Sequence, residues 1–246
     1  MFKRTSDILI AAAGLALLSP VYLLIAVALK LDSDGPVFFR QNRLGLGGAH
    51  FRIFKFRSMV ADADKRGGTL TIGGDARVTR VGGFLRRHKL DELPQLINVL
   101  RGEMSLVGPR PEVPEYADLF PTEFRRILAV RPGITHRATL LFRNEEELLA
   151  ATDDPNAAYI HKVMPAKMRL YIDALGEQSV MQDVRTIVET IFRVGETITA
   201  ADLTLDTPEI GNIVSAARGG PRAVPAVENA SAVEAVRYRR ARETVA

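Results

Sequence analysis

Leu90-Asp91-Glu92-Leu93-Pro94-Gln95, running on as Leu96-Ile97-Asn98-Val99-Leu100, is the stretch around which the chain is organised. Apolar residues recur at 93, 96, 97 and 100, the spacing of an amphipathic helix. Pro94 fits the first turn of that helix, where a missing N–H costs little. Asp91 and Glu92 are thereby placed at or just before a helix N-terminus, an electropositive position that keeps a carboxylate ionised. Arg86, Arg87 and Lys89 lie just upstream and act in the same direction. A fixed, ionised carboxylate attacks phosphorus, holds a divalent metal or caps the helix. Capping is the ordinary role of an acidic pair at this point.

The chain has 246 residues, enough for one or two domains with a real core. Its 33 Lys and Arg against 29 Asp and Glu leave it mildly basic, which suits polyanionic partners such as nucleic acid, anionic lipid or nucleotide phosphates. With no Cys there is no disulfide framework, no thiolate metal site and no cysteine nucleophile. The four His, at 50, 88, 136 and 161, lack ligand spacing, which argues against structural zinc.

Upstream of the acidic pair, Ile8 to Leu29 carries no charge. As a helix it is about 33 Å long, just enough to span a hydrocarbon core. Ser19-Pro20 interrupts its middle, where proline removes a hydrogen bond and the Ser19 hydroxyl offers a local replacement. One reading is an ordinary transmembrane helix with a tolerated proline. The other is a re-entrant helix, kinked at Ser19-Pro20, that enters and leaves one leaflet. Lys3 and Arg4 before the run, and Lys30, Arg40 and Arg43 after it, place positive charge on both flanks and favour the second.

Val37–Gln41 and Phe51–Phe56 are rich in strand formers and flank Gly45-Leu46-Gly47-Gly48, which predicts a β-hairpin. The glycines do not have phosphate-loop spacing, and a strand rather than a helix follows them. Lys55 and Arg57, at the hairpin's end, either face a phosphate site or are solvated edge residues. Residues 61–74 predict a mobile surface loop. Downstream, Gly108-Pro109-Arg110-Pro111 and Arg131-Pro132-Gly133-Ile134-Thr135 hold an arginine beside rigid proline backbone, which suits bidentate phosphate binding. Helices are predicted over 112–130 and 144–151, from Pro165 onward, and over 180–194. Their apolar stripes pack into a core or lie in a lipid interface. Residues 199–246 read as a partly disordered tail with a late basic helix over 227–244.

Taken together, these pieces resemble the bacterial sugar transferases, the monotopic phosphoglycosyl transferases. The matching segments are Ser19-Pro20, Lys55-Phe56-Arg57-Ser58-Met59, Leu90–Gln95, Gly102–Pro111 and Arg131–Thr135, in the family's order across residues 1–198. After Thr135 the chain continues His136-Arg137-Ala138-Thr139 and departs from the family pattern, so sugar-recognition residues do not carry over there. His136 either contacts the nucleotide or, as the commoner case, is solvent-exposed.

The resemblance implies an α+β, predominantly helical fold. A re-entrant membrane helix (1–30) would precede a cytoplasmic catalytic domain (31–198), built from a small β-hairpin and amphipathic interfacial helices, and the tail (199–246) would follow. It resembles a small member that begins directly with the re-entrant helix, where larger members carry a multi-span region first. The implied reaction moves a sugar-1-phosphate from a UDP-sugar to undecaprenyl phosphate and releases UMP. It would occur at the cytoplasmic face of the bacterial inner membrane, as the first membrane step of glycoconjugate or exopolysaccharide synthesis. Asp91 would be the nucleophile, forming a phosphosugar-aspartate, and Glu92 its partner, with Mg²⁺ at the Asp91-Glu92 pair. Arg86 and Arg110 would bind phosphate, with Lys55, Arg57 and Arg131 as weaker matches. Expected partners are the inner leaflet, downstream glycosyltransferases and a second copy of the chain as a homodimer, with no nucleic acid. The rival readings are a catalytically silent membrane scaffold for glycosyltransferases and a membrane-anchored nucleic-acid binder.

Overall fold

The charge-free run forms one helix, α1 (Phe2–Asp32), in the computed structural model of the chain, which describes residues 2–68, 70–176 and 179–192. The tail expectations for 199–246 and 227–244 lie outside the described residues. Pro20 sits inside α1 and has no N–H to give to the carbonyl four residues back, that of Ala16. The Ser19 hydroxyl donates to this same carbonyl at 2.8 Å. The local partner expected from Ser19-Pro20 is therefore present, and the helix continues through the proline.

Among the described residues, one stripe of α1 is covered. Ala11, Ile25 and Leu29 are buried, whereas Leu9, Leu17, Leu23, Leu24 and Leu31 are exposed. Anchors run along the whole helix. Arg4 donates to the Val99 and Met104 carbonyls. Asp7 accepts from the Ser105 hydroxyl and the Leu106 N–H. The Tyr22 hydroxyl donates to the Leu93 carbonyl at 2.6 Å, and Leu29 packs with Phe56 and Leu85.

The hairpin is β1 (Phe38–Leu44) and β2 (His50–Phe56), antiparallel and in register from Phe38 opposite Phe56 to Leu44 opposite His50. Its turn is the glycine segment. Gly47 and Gly48 take φ of 65° and 82°, left-handed values that glycine adopts without steric cost. Beyond it, the polar segment 61–74, expected to be mobile, contains a short helix, α2 (Ala63–Arg66), and is tied down. The Arg77 guanidinium donates to the carbonyls of Ala63 and Gly68, and the Gly73 N–H donates to the Glu146 carbonyl at 2.9 Å.

Helix α3 (Arg80–Arg87) is capped by the Thr79 hydroxyl, which accepts from the Gly82 N–H. Lys89 then turns left-handed at φ 56°, and Leu90–Glu92 make one tight 3₁₀ turn leading through Pro94 into α4 (Gln95–Arg101). Strand β3 (Ser105–Val107) follows. Instead of one helix over 112–130 there are two, α5 (Pro114–Ala117) and α6 (Pro121–Ile127). The break is Phe120, held at φ −133° and ψ 59°, because a residue before proline is pushed out of the helical region. Strand β4 (Gly133–Thr135) pairs in parallel with β3, a second small sheet absent from the sequence reading.

Helices α7 (Arg137–Leu141), α8 (Glu145–Ala150) and α9 (Pro155–Ala158) come next. A single π turn (Tyr159–Val163) runs directly into α10 (Met164–Ala174), so this helix continues from an earlier turn instead of opening at Pro165. The last described helix is α11 (Val180–Phe192). The described residues are thus mostly helical, with two small sheets.

Three apolar clusters hold the described residues together. The largest joins α6 to α10 through residues such as Phe124, Leu141, Leu149 and Met168. A second packs Ala11 of α1 on Ile53, Val99 and Met104. The third packs Ile25 and Leu29 on Phe56 and Leu85. Leu90 and Leu93 lie against the third cluster and Leu96 against the second, which pins the Asp91-Glu92 turn from both sides.

Candidate active site

Glu92 is where the separate elements converge. Its carboxylate accepts from Lys55 of β2 at 3.1 Å and from both terminal nitrogens of Arg110, at 3.0 Å for Nη1. The fork geometry makes the arginine pair bidentate and charge-assisted. Arg110 reaches this position because β3 and β4 are stapled together beneath it. The Gly108 N–H donates to the Thr135 carbonyl, and the Gly133 N–H to the Pro109 carbonyl at 2.8 Å. The backbones approach so closely that a Cβ on Gly133 would lie 2.0 Å from the Gly108 nitrogen. Two glycines are therefore required where the Gly108-Pro109-Arg110-Pro111 and Arg131-Pro132-Gly133 motifs meet.

Asp91 is also buried, at 6% exposure, but its Oδ1 has no hydrogen-bond partner among the described residues. The two neighbouring carboxyls are therefore driven apart. Burial raises Asp91 above the usual carboxylate range and the Glu92 charge adds to this, against the pull of Lys55, Lys89 and Arg86. Burial would also raise Glu92, but Arg110 and Lys55 hold it well below that range. Arg110 is stabilised as a cation chiefly by Glu92, whereas burial pushes Lys55 below the usual lysine value despite that partner.

The reading of the pair as helix caps is corrected. Helix α4 starts only at Gln95, after Pro94, and no side chain caps it. Burial and neighbouring charges, instead of a helix terminus, set the state of both groups.

The remaining sequence-derived candidates separate. The Arg86 guanidinium donates to the Ser58 hydroxyl and to Glu146, and its charge reaches Asp91. Arg57 is buried, and it donates to the carbonyls of Leu29, Ser33 and Asp34, closing the C-terminal end of α1. Its hydrogen bonds make it a structural clamp instead of a free phosphate ligand. Arg131 donates to the Gly102 carbonyl and does not join the Glu92 cluster. His136 is buried, correcting the solvent-exposed reading. Its Nδ1 accepts from the Ala138 N–H and caps α7, and its ring lies edge-on to Tyr171.

Sequence reasoning placed the Lys89 charge beside the pair but missed its backbone conformation, and it missed Gln95. Lys89 is the single non-glycine residue with positive φ among those described, and a lysine gives no signal for that conformation. Gln95 is fully buried one turn after Asp91, with neither amide atom partnered among the described residues. The apolar stripe gave no signal for it, since position 95 lies off the 93, 96, 97 and 100 spacing.

A cation would have to use Asp91, since both Glu92 oxygens are already held by Arg110 and Lys55. No group of three acidic or histidine side chains that could hold a metal occurs among the described residues. Mg²⁺ accepts one or two carboxylates and takes its other ligands from water and substrate phosphates. The unpartnered Asp91 oxygen would be the group to hold such an ion.

The sequence has known counterparts. Over 192 residues it is 43% identical to a UDP-N-acetylgalactosamine-undecaprenyl-phosphate N-acetylgalactosaminephosphotransferase of Aeromonas hydrophila, covering 76% of this chain and 43% of that one. It is 40% identical over 192 residues to a UDP-glucose:undecaprenyl-phosphate glucose-1-phosphate transferase of Caulobacter vibrioides, with 77% and 68% covered. It is 38% identical over 199 residues to the exopolysaccharide production protein PSS of Rhizobium leguminosarum bv. phaseoli, with 78% and 94% covered. The chain thus spans less than half of the Aeromonas relative and nearly all of the Rhizobium one. A sequence model of the bacterial sugar transferases matches residues 1–197, and with the motifs and these relatives this establishes that the chain belongs to the bacterial sugar transferase family.

Proposed function

We propose that the chain is a membrane-bound phosphoglycosyl transferase that moves a sugar-1-phosphate from a UDP-sugar to undecaprenyl phosphate. The observation that carries this reading is the asymmetry of the acidic pair. Glu92 is locked by Arg110 and Lys55, while the Asp91 oxygen is left without a partner. Asp91 is then the nucleophile. Its carboxylate oxygen bonds to the β-phosphorus of the donor, the bond from that phosphorus to the bridging oxygen breaks, and UMP leaves. An oxygen of the polyprenyl phosphate attacks the same phosphorus and displaces Asp91, completing a ping-pong cycle.

Glu92 positions Arg110 and Lys55 at the point where phosphate charge collects, which reduces the repulsion between the donor and the attacking carboxylate. Arg86 adds a third positive charge on the Asp91 side. A bound Mg²⁺, held by Asp91 and the substrate, would supply charge neutralisation of the diphosphate. The names of the relatives support an undecaprenyl-phosphate acceptor. They disagree on the donor sugar, glucose in one and N-acetylgalactosamine in another, so the sugar is left open.

Membrane association is monotopic in this reading, on the cytoplasmic face. Support comes from α1, whose first and last turns are both anchored to the same folded body while its exposed side is leucine-rich. A straight span would carry those ends about 30 Å apart across the hydrocarbon, to opposite faces. Helix α11 leaves Met181, Ile191 and Phe192 exposed, as an interfacial helix does.

The test is UMP release by detergent-purified protein with undecaprenyl phosphate and a panel of UDP-sugars, with and without Mg²⁺. Mg²⁺-dependent release for one donor, reduced at least 10³-fold in Asp91→Asn, is the expected result, since loss of a nucleophile removes most of the rate enhancement. Full activity in Asp91→Asn overturns the covalent mechanism. Binding without release across the panel favours a silent scaffold.

A further inference from the structure

Arg131 and Arg4 meet at the end of α4 instead of at the acidic pair. Arg4 lies on the Val99 and Leu100 carbonyls, and Arg131 on the Gly102 carbonyl at 3.0 Å. Arg101, next to Gly102, stacks over the Phe54 ring at 4.8 Å, and Arg40 stacks on the same ring at 4.2 Å. Arg52, two residues from Phe54 and diagonal to Arg40 across the β1–β2 pair, shares that face of the hairpin. Five guanidinium groups are thus linked through Gly102 and Phe54. None has a carboxylate within ion-pair distance among the described residues. Arg52, Arg101 and Arg131 are exposed, and the Arg40 Nε is buried without a partner. The nearby acidic groups are engaged elsewhere: Glu103 accepts from the Asn98 amide, and Asp7 from the Ser105 hydroxyl and the Leu106 N–H.

Three features separate this patch from ordinary solvated charge. The groups carry like charge at close quarters, an arrangement that costs energy until an anion arrives. Two of them are pre-oriented by one aromatic ring, which lowers the entropy lost on binding. Arg4 belongs to the first turn of α1, immediately before the exposed apolar side that begins at Ile8 and Leu9. The patch therefore sits at the headgroup end of a lipid-facing helix.

We propose that Arg40, Arg52, Arg101 and Arg131, beside the α1 anchor Arg4, form a docking surface for the phosphate headgroups of anionic phospholipids, separate from the substrate phosphates at Asp91. The continuity with α1 selects a lipid surface over nucleic acid. Each basic side chain at a membrane surface is worth about a fivefold change in binding to anionic lipid, and the gain falls with salt.

The test uses the full chain in neutral detergent, titrated with short-chain phosphatidylglycerol or phosphatidylcholine below their micellar concentrations, with binding read by thermal shift. The expected result is at least tenfold tighter binding of phosphatidylglycerol. Arg52→Gln/Arg101→Gln/Arg131→Gln should lose at least tenfold, bringing phosphatidylglycerol down to the phosphatidylcholine level, while phosphatidylcholine binding is unchanged. The same three positions changed to Lys should retain most of the preference, which separates charge from any folding defect. Equal binding of the two lipids overturns the proposal, as does an unchanged preference in the triple Gln protein. Tighter binding of a single-stranded RNA than of phosphatidylglycerol at equal salt also overturns it. None of these outcomes depends on transferase activity, so failure here leaves the reading of Asp91 standing, and the reverse.

Discussion

His136 shows how burial changes what a residue does. Its ring is enclosed against Tyr171 and its Nδ1 is committed to the Ala138 N–H. Burial, with smaller contributions from Arg137 and Lys3, lowers its pKa from 6.5 to about 4. The folded state therefore keeps His136 neutral while the unfolded chain takes up a proton below pH 6.5. Stability from this group is fully present above the unfolded value and is lost as pH falls toward the folded one. Between pH 7 and pH 5 the loss is about 2 kcal/mol. Urea unfolding at the two pH values should show it, and His136→Asn, which retains a capping acceptor, should remove most of the difference. An equal pH dependence in both proteins would place the acid sensitivity elsewhere. Exposure was what the sequence missed here. A histidine after a Pro-Gly-Ile-Thr run carries no local mark of being buried, because the residue that covers it, Tyr171, is 35 positions away. The same is true of Arg57, whose carbonyl partners at the end of α1 are brought together only by the fold. Asp91, Glu92 and Arg110, by contrast, were singled out together through the family resemblance, whose motifs lie within one short stretch of chain, and the fold brings Glu92 and Arg110 into contact.

At the level of elements, legibility followed contact range. The β1–β2 hairpin was visible because its pairing is local and its turn is spelled in glycine. The β3–β4 pair was not, because parallel strands are joined by distant segments and three-residue strands carry no pattern. That hidden pair nevertheless controls the site, since it sets the backbone on which Arg110 stands. Gly133→Ala tests the dependence. A Cβ there would lie 2.0 Å from the Gly108 nitrogen and 2.6 Å from its carbonyl oxygen, both backbone atoms that cannot rotate away. The strands must part, the Gly133 N–H bond to Pro109 is strained, and Arg110 shifts off Glu92. The expected cost is about 3 kcal/mol of stability, in the range of severe core substitutions, accompanied by loss of UMP release. A variant with wild-type stability and activity would show that Arg110 is positioned by something other than this staple. The division of 112–130 into α5 and α6 belongs to the same scale: Pro121 was in view, but its effect on Phe120 was not drawn from the apolar periodicity.

The described residues are arranged about α1, and the proposed single-face topology rests on its two ends. A helix of 31 residues is about 46 Å long at 1.5 Å per residue, more than a bilayer core requires. Yet Asp7 is bonded to β3, and Leu29 packs on Phe56 and Leu85 in the same folded body. That body carries buried ion pairs and a polar surface, and it does not fit inside hydrocarbon. Passage of α1 across the bilayer would require one set of these anchors to be given up, including the buried Asp7 carboxylate, which would lose both its donors. Retention of both sets, with the leucine-rich side in lipid, requires the two ends to stay at one face. The absence of cysteine makes this directly measurable. Single cysteines at Thr5 and at Asp34, both exposed positions flanking the apolar run, should react with a membrane-impermeant maleimide from the cytoplasmic side alone. In inverted vesicles both label fully, and in right-side-out cells neither labels before lysis. Labelling of the two from opposite sides would mean that α1 spans the membrane, and that the anchors at one of its ends are released when the chain enters lipid.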